Sequence, residues 1–116
     1  MEETKAVSSL MPRKDRPNIL PLEGEIDLHV SPNVAETLRA MTRKKPRRLV
    51  IDLTRVTYVD SSALAVFIEG KQRVEAYGGK FALAGLHDDV RTILEMAKLD
   101  QIFRIFPDVD SALAAN

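Results

Sequence analysis

Apolar and polar positions alternate between two periods along this chain, and the switches mark its elements. The run Leu49-Val50-Ile51-Asp52-Leu53, flanked by Arg47, Arg48 and Thr54, is short, apolar and β-branched at its centre, the pattern of a buried strand. After Tyr58-Val59, the residues Asp60, Ser61 and Ser62 compete as caps ahead of a second apolar run, which predicts a helix from Ser61 or Ser62 to about Tyr77. On a 100° wheel Ala63, Leu64, Phe67 and Val74 share the inward face. Val66 and Ile68 lie on opposite flanks, and Ala65 faces outward near Ser61 and Ser62. Gly78-Gly79 ends that helix, and Lys80 to Ala84 forms the next strand.

The same periods organise the remainder. Ile19-Leu20-Pro21-Leu22 reads as a strand in which Pro21 lacks a ladder donor, so it belongs at an edge or a bulge, and Gly24 to Asp27 continues or ends it. Ser31-Pro32 predicts a helix start with the hydroxyl at the cap; Val34, Leu38 and Met41 then face inward and Glu36, Arg39 and Arg43 outward. Asp88-Asp89 opens a third helix carrying Val90, Ile93, Leu94 and Ala97. Ile102 to Phe106 alternates around Arg104 as a final strand, and Pro107-Asp108 starts a last short helix. Residues 1–18 are polar and basic; there Ala6 to Met11 reads as either an edge strand or a loose, disordered tail, ahead of a domain spanning residues 19–116. Strands alternating with helices give an α/β class with a mixed, mostly parallel sheet of four or five strands packed with about four helices.

Composition narrows the function classes. A chain of 116 residues makes one domain with one modest core. Its 17 basic residues balance 17 acidic ones, which argues against general nucleic-acid binding, a process driven by phosphate neutralisation. The absence of cysteine excludes disulfides and thiolate chemistry. No secretory h-region and no run of membrane-spanning length is present, so a cytoplasmic protein without membrane insertion is expected. The Arg43-Lys44-Lys45-Pro46-Arg47-Arg48 run complements a helix C-terminus and can steer an acidic partner. Two isolated histidines, with no metal-ligand spacing and no His–Ser pair, leave no catalytic set; an enzyme is not expected, nor a cofactor or metal. Asp60 beside Ser61 is not a triad, because a neighbouring carboxylate does not replace an oriented imidazole.

What remains is the strand-to-helix turn. It points Ser61 out of the carboxyl edge of the sheet, where open α/β sheets bind ligands, and the first helical turn tolerates a phosphate. Capping is the ordinary use of such residues. The wording of the chain goes further. Gly24-Glu25-Ile26-Asp27, then Val50-Ile51-Asp52-Leu53, Val59-Asp60-Ser61-Ser62, and Val90-Arg91 through Leu99-Asp100-Gln101-Ile102-Phe103 follow in the order found in anti-sigma-factor antagonists. From about Leu20 to Ala115 the chain resembles that family, whose fold is called the STAS domain.

The resemblance implies a switch. The residue matching Ser61 is phosphorylated in that family by a serine kinase that is also the anti-sigma factor, with Ser62 the less favoured acceptor here. The unphosphorylated antagonist binds the kinase and frees the sigma factor, and a metal-dependent serine phosphatase resets it. Asp27 matches an acid of the recognition surface, although a turn-stabilising role fits it equally well. The implied partner surface is Asp27, Asp60, Ser61, Ser62, Ala65 and Val66. This chain departs from the family by carrying Ala63-Leu64-Ala65 where Gly-Leu-Gly is frequent, which places a methyl group at Ala65 where a partner backbone would approach. The same fold also serves as a cytoplasmic subunit of membrane transporters, so a permease is the alternative partner, with no phosphorylation required.

Overall fold

The structure is a computed structural model and describes residues 18–115 together with Pro12 and Arg16. Four strands, β1 (Ile19–Ile26), β2 (Arg48–Val59), β3 (Lys80–Ala84) and β4 (Arg104–Phe106), pair in the order β1-β2-β3-β4, every pairing parallel. Helices α1 (Ser31–Arg43), α2 (Ser61–Ala76) and α3 (Asp88–Met96) make the successive crossovers, and α4 (Val109–Ala114) follows β4. Each crossover steps one strand in the same direction, so right-handed connections put α1, α2 and α3 on one face. That face buries the main core, with Leu49, Ile51 and Leu53 of β2 against Leu38, Phe67 and Leu94. The reverse face packs Ile19, Val50, Ala82 and Ala84 under Ala112 of α4. The expected strand at Ala6–Met11 lies outside the described residues.

Two differences from the sequence reading bear on function. The central strand does not stop near Leu53; it continues to Val59. Beyond Asp52, where its pairing with β3 ends, its strand partner is β1, from Glu23↔Arg55 to Ile26↔Val59, and the His87 ring meets the Thr54 carbonyl at 2.6 Å. β-Branched Thr54, Val56, Thr57 and Val59 suit that extension, with Val56 and Val59 turned into the core. β1 follows through register shifts between Pro21 and Glu23 and between Gly24 and Glu25, where Gly24 adopts φ +81°. Pro21 therefore lies beside a bulge in the strand that ends the sheet order, as its missing donor requires.

The second difference is the start of α1. Its N-cap is Val30, without a side-chain cap bond, while Ser31 sits inside the helix and is 3% exposed. The Asp27 carbonyl accepts from the Ser31 amide at 2.8 Å and from the Ser31 hydroxyl at 2.8 Å, so the hydroxyl is free to face α2 rather than cap its own helix.

Candidate functional site

The carboxyl edge of the sheet gathers the predicted residues into one hydrogen-bonded corner. Strand β2 delivers Asp60 beside the end of β1, where the Asp60 amide donates to the Ile26 carbonyl at 3.2 Å. Asp60 is the N-cap of α2: its Oδ1 accepts from the amides of Ser62 (2.9 Å) and Ala63 (3.2 Å) and from the Ser62 hydroxyl (2.5 Å). The Ser62 hydroxyl is the largest cause holding the Asp60 carboxyl below its ordinary value, ahead of the amides of Ala63, Ser62 and Leu28. Of the three competing caps, the carboxylate takes the position.

Ser62 also touches Ser31 across the helix pair, Oγ to Oγ 2.6 Å. Ser62 spends its proton on Asp60, which leaves the Ser31 proton to serve either Ser62 or the Asp27 carbonyl. Asp27, Ser31, Asp60 and Ser62 are thereby linked. The Asp27 carboxylate meanwhile accepts from the His29 amide at 3.0 Å, a turn contact. Ser61, the first residue of α2, is exposed, and its hydroxyl has no partner among the described residues. The amides that a group attached there would first meet are already occupied by Asp60.

A groove of about 260 Å³ runs from this corner between α1 and α2, lined by Leu28, Pro32, Ala35, Ala65 and Val66, with Ser31 and Ser62 at one end and Arg39 and Glu69 at the other. Ala65 is exposed on its wall, as the helical wheel requires, and Val66 is 9% exposed. Arg39 does not simply face outward: it grips Glu69 with two bonds, of 2.7 and 2.9 Å, and Arg73 adds a third of 2.7 Å. Arg39, then Arg73, hold the Glu69 carboxyl down at about 2. Sequence reasoning missed Ser31, which it assigned to capping, and Leu28, whose side chain stands 70% exposed beside the corner. The available signal was an apolar residue three places before a helix start.

An open parallel sheet that offers a free serine at the head of its second crossover helix defines a class of domain, and comparison identifies it. The STAS domain model matches residues 9–112, and the chain belongs to that family. The anti-sigma-B factor antagonist of Listeria monocytogenes is 35% identical over 82 residues, 71% of this chain and 72% of that protein. The crystal structure of an anti-sigma factor antagonist from Mycobacterium paratuberculosis is 26% identical, with TM-score 0.75 over 82% of this chain and 80% of the other. The phosphorylated form of the Bacillus cell fate determinant SpoIIAA shares the fold at 17% identity, with TM-score 0.65 over 82% and 86% of the two chains. Among the described residues no helix is long and apolar enough to cross a membrane.

Proposed function

We propose that this chain is an anti-sigma factor antagonist switched by phosphorylation of Ser61. Unmodified, it binds a serine kinase that is also the anti-sigma factor and so releases the sigma factor; a serine phosphatase restores that state. The partner surface comprises Asp27, Asp60, Ser61, Ser62, Ala65 and Val66, and the domain acts as a binding module rather than an enzyme.

One observation carries the reading: of the neighbouring hydroxyls, Ser61 is exposed and unbonded, while Ser62 is committed to Asp60 and Ser31. A kinase can present ATP to the first without dismantling the cap, whereas modifying the second costs the corner its bonds. A phosphate adds about −1.5 to −2 charges. At Ser61 it would stand beside the ionised Asp60, whose carboxylate already holds the Ser62 and Ala63 amides. The new charge therefore projects into solvent, where it repels acidic partner groups and blocks close approach, and the body of the domain stays as it was.

The test is incubation with the partner kinase and ATP, with Ser61→Ala and Ser62→Ala as controls. Phosphate is expected on Ser61 in the wild type and in Ser62→Ala, and it should be missing from Ser61→Ala. Ser61→Asp is expected to weaken kinase binding at least tenfold. Labelling confined to Ser62, or co-purification with a permease and no labelling at all, would replace this reading with that of a transporter subunit.

A further inference from the structure

The opposite edge of the sheet is basic, and its charges are unspent. Arg43, Lys44, Lys45, Arg47, Lys80 and Lys98 are exposed and have no acidic partner among the described residues. They come from separate elements held rigidly together. The Lys80 amide donates to the Arg47 carbonyl at 2.9 Å, and the Tyr77 hydroxyl donates to the Pro46 carbonyl at 2.8 Å. Arg48 is not among them, since its guanidinium caps α4 through the carbonyls of Ala112, Leu113 and Ala115. The acids of this end are Glu75, tied to Lys71 at 3.0 Å, together with Glu95 and Asp100.

A second feature of the edge is independent of charge counting. Lys45 (φ +51°) and Lys98 (φ +62°) are the non-glycine residues in the left-handed region among the described residues, and each follows the C-cap of a helix. Glycine is the unstrained choice at that place, and a side chain there costs about 1 kcal/mol. The chain keeps a lysine at both, on helices α1 and α3, which end at the same edge. Large apolar side chains accompany them. Met96, the last residue of α3, is 80% exposed, and Ile102, just before β4, is 50% exposed. Ile102 lies in the turn that leads into β4, its amide donating to the Leu99 carbonyl at 3.0 Å, so it too belongs to the end of the sheet where the strands begin.

We infer that this edge binds the surface of an anionic bilayer, with the lysines and arginines at the headgroups and Met96 and Ile102 dipping between them. The cations lie at strand starts and helix ends, so they share one edge of the domain and can meet a sheet of headgroups together. The apolar pair favours a bilayer over nucleic acid, because a phosphate backbone rewards charge but not methyl groups. The domain would then sit with Ser61 facing away from the lipid, at the far end of β2. This association is peripheral and independent of any phosphorylation at Ser61.

Vesicle flotation tests it, using phosphatidylglycerol mixed with phosphatidylcholine against phosphatidylcholine alone. Binding is expected only to the anionic vesicles, strongest at about 0.05 M salt and lost by about 0.5 M. Lys44→Gln, Arg47→Gln and Lys80→Gln combined should weaken it about a hundredfold, and each of Lys45→Gly and Lys98→Gly about fivefold. The glycine variants should also melt higher than wild type, which separates lost binding from lost folding. Met96→Ser with Ile102→Ser should reduce vesicle binding and leave any binding to duplex DNA or polyglutamate unchanged. Equal flotation with neutral lipid, no flotation with anionic lipid, or a preference for DNA or polyglutamate would overturn the inference.

Discussion

The two edges of the sheet handle polar groups in opposite ways. At the carboxyl edge the corner around Asp60 is wired: Asp60 with Ser62 and Ala63, Ser62 with Ser31, Ser31 with Asp27, and Asp27 with His29. Within that corner the Ser61 hydroxyl is the one without a partner among the described residues, the group left for another molecule. At the amino edge Lys44, Lys45, Arg47 and Lys80 have no acidic partner among the described residues, so no single one of them is distinguished and any effect is collective. A wired edge concentrates function in its exception; an unwired edge spreads function over its members.

Both edges hang on the same core, and the largest expected effect removes the contrast altogether. Phe67 is fully buried beneath the sheet, and Phe67→Ala should cost about 3–5 kcal/mol in denaturant unfolding, impairing both edges together. Asp60→Ala strikes the wired edge alone. It should cost about 1–2 kcal/mol, and it should turn Ser62 into an acceptor that competes with Ser61 in a kinase assay followed by mass spectrometry. If phosphorylation stays confined to Ser61 in that variant, the wiring does not choose the acceptor.

Smaller effects sharpen the comparison. Ser31→Ala removes the link between the helices and should lower stability by about 1 kcal/mol, a few degrees of melting temperature, with vesicle binding untouched. Acid should act at the far end of the groove. The Glu69 carboxyl is held down at about 2, below its unfolded value, so its contribution is fully present above pH 4.5 and fades as pH falls toward 2. Melting temperature should therefore decline across that window, and less steeply in Glu69→Gln.

How much of this was legible beforehand follows from the range of the forces involved. The crossover helices, the inward faces of Val34, Leu38 and Phe67 and the place of Pro21 rest on periodicity and local backbone chemistry, and they stand in the structure as the residues dictate. The long second half of β2 was not legible, because exposed Thr54, Arg55 and Thr57 break the apolar run and only pairing with β1 makes them a strand. At the site, the position and exposure of Ser61 followed from strand-to-helix logic. That Asp60 rather than a serine would cap α2, and that Ser31 would reach Ser62 from 31 positions away, depends on two helices meeting, which no local pattern encodes.

The unequal reach of the strands has a mechanical meaning. Because β3 stops opposite Asp52 while β2 runs on to Val59, Ser61, the proposed phosphoacceptor, stands on a spur braced by β1 and its bulges. Lengthening or ironing out a bulge near Gly24 would swing that spur through the Ile26–Asp60 tether, so a lineage could retune which kinase it answers by editing the first strand and leave the serine, its cap and the groove as they are.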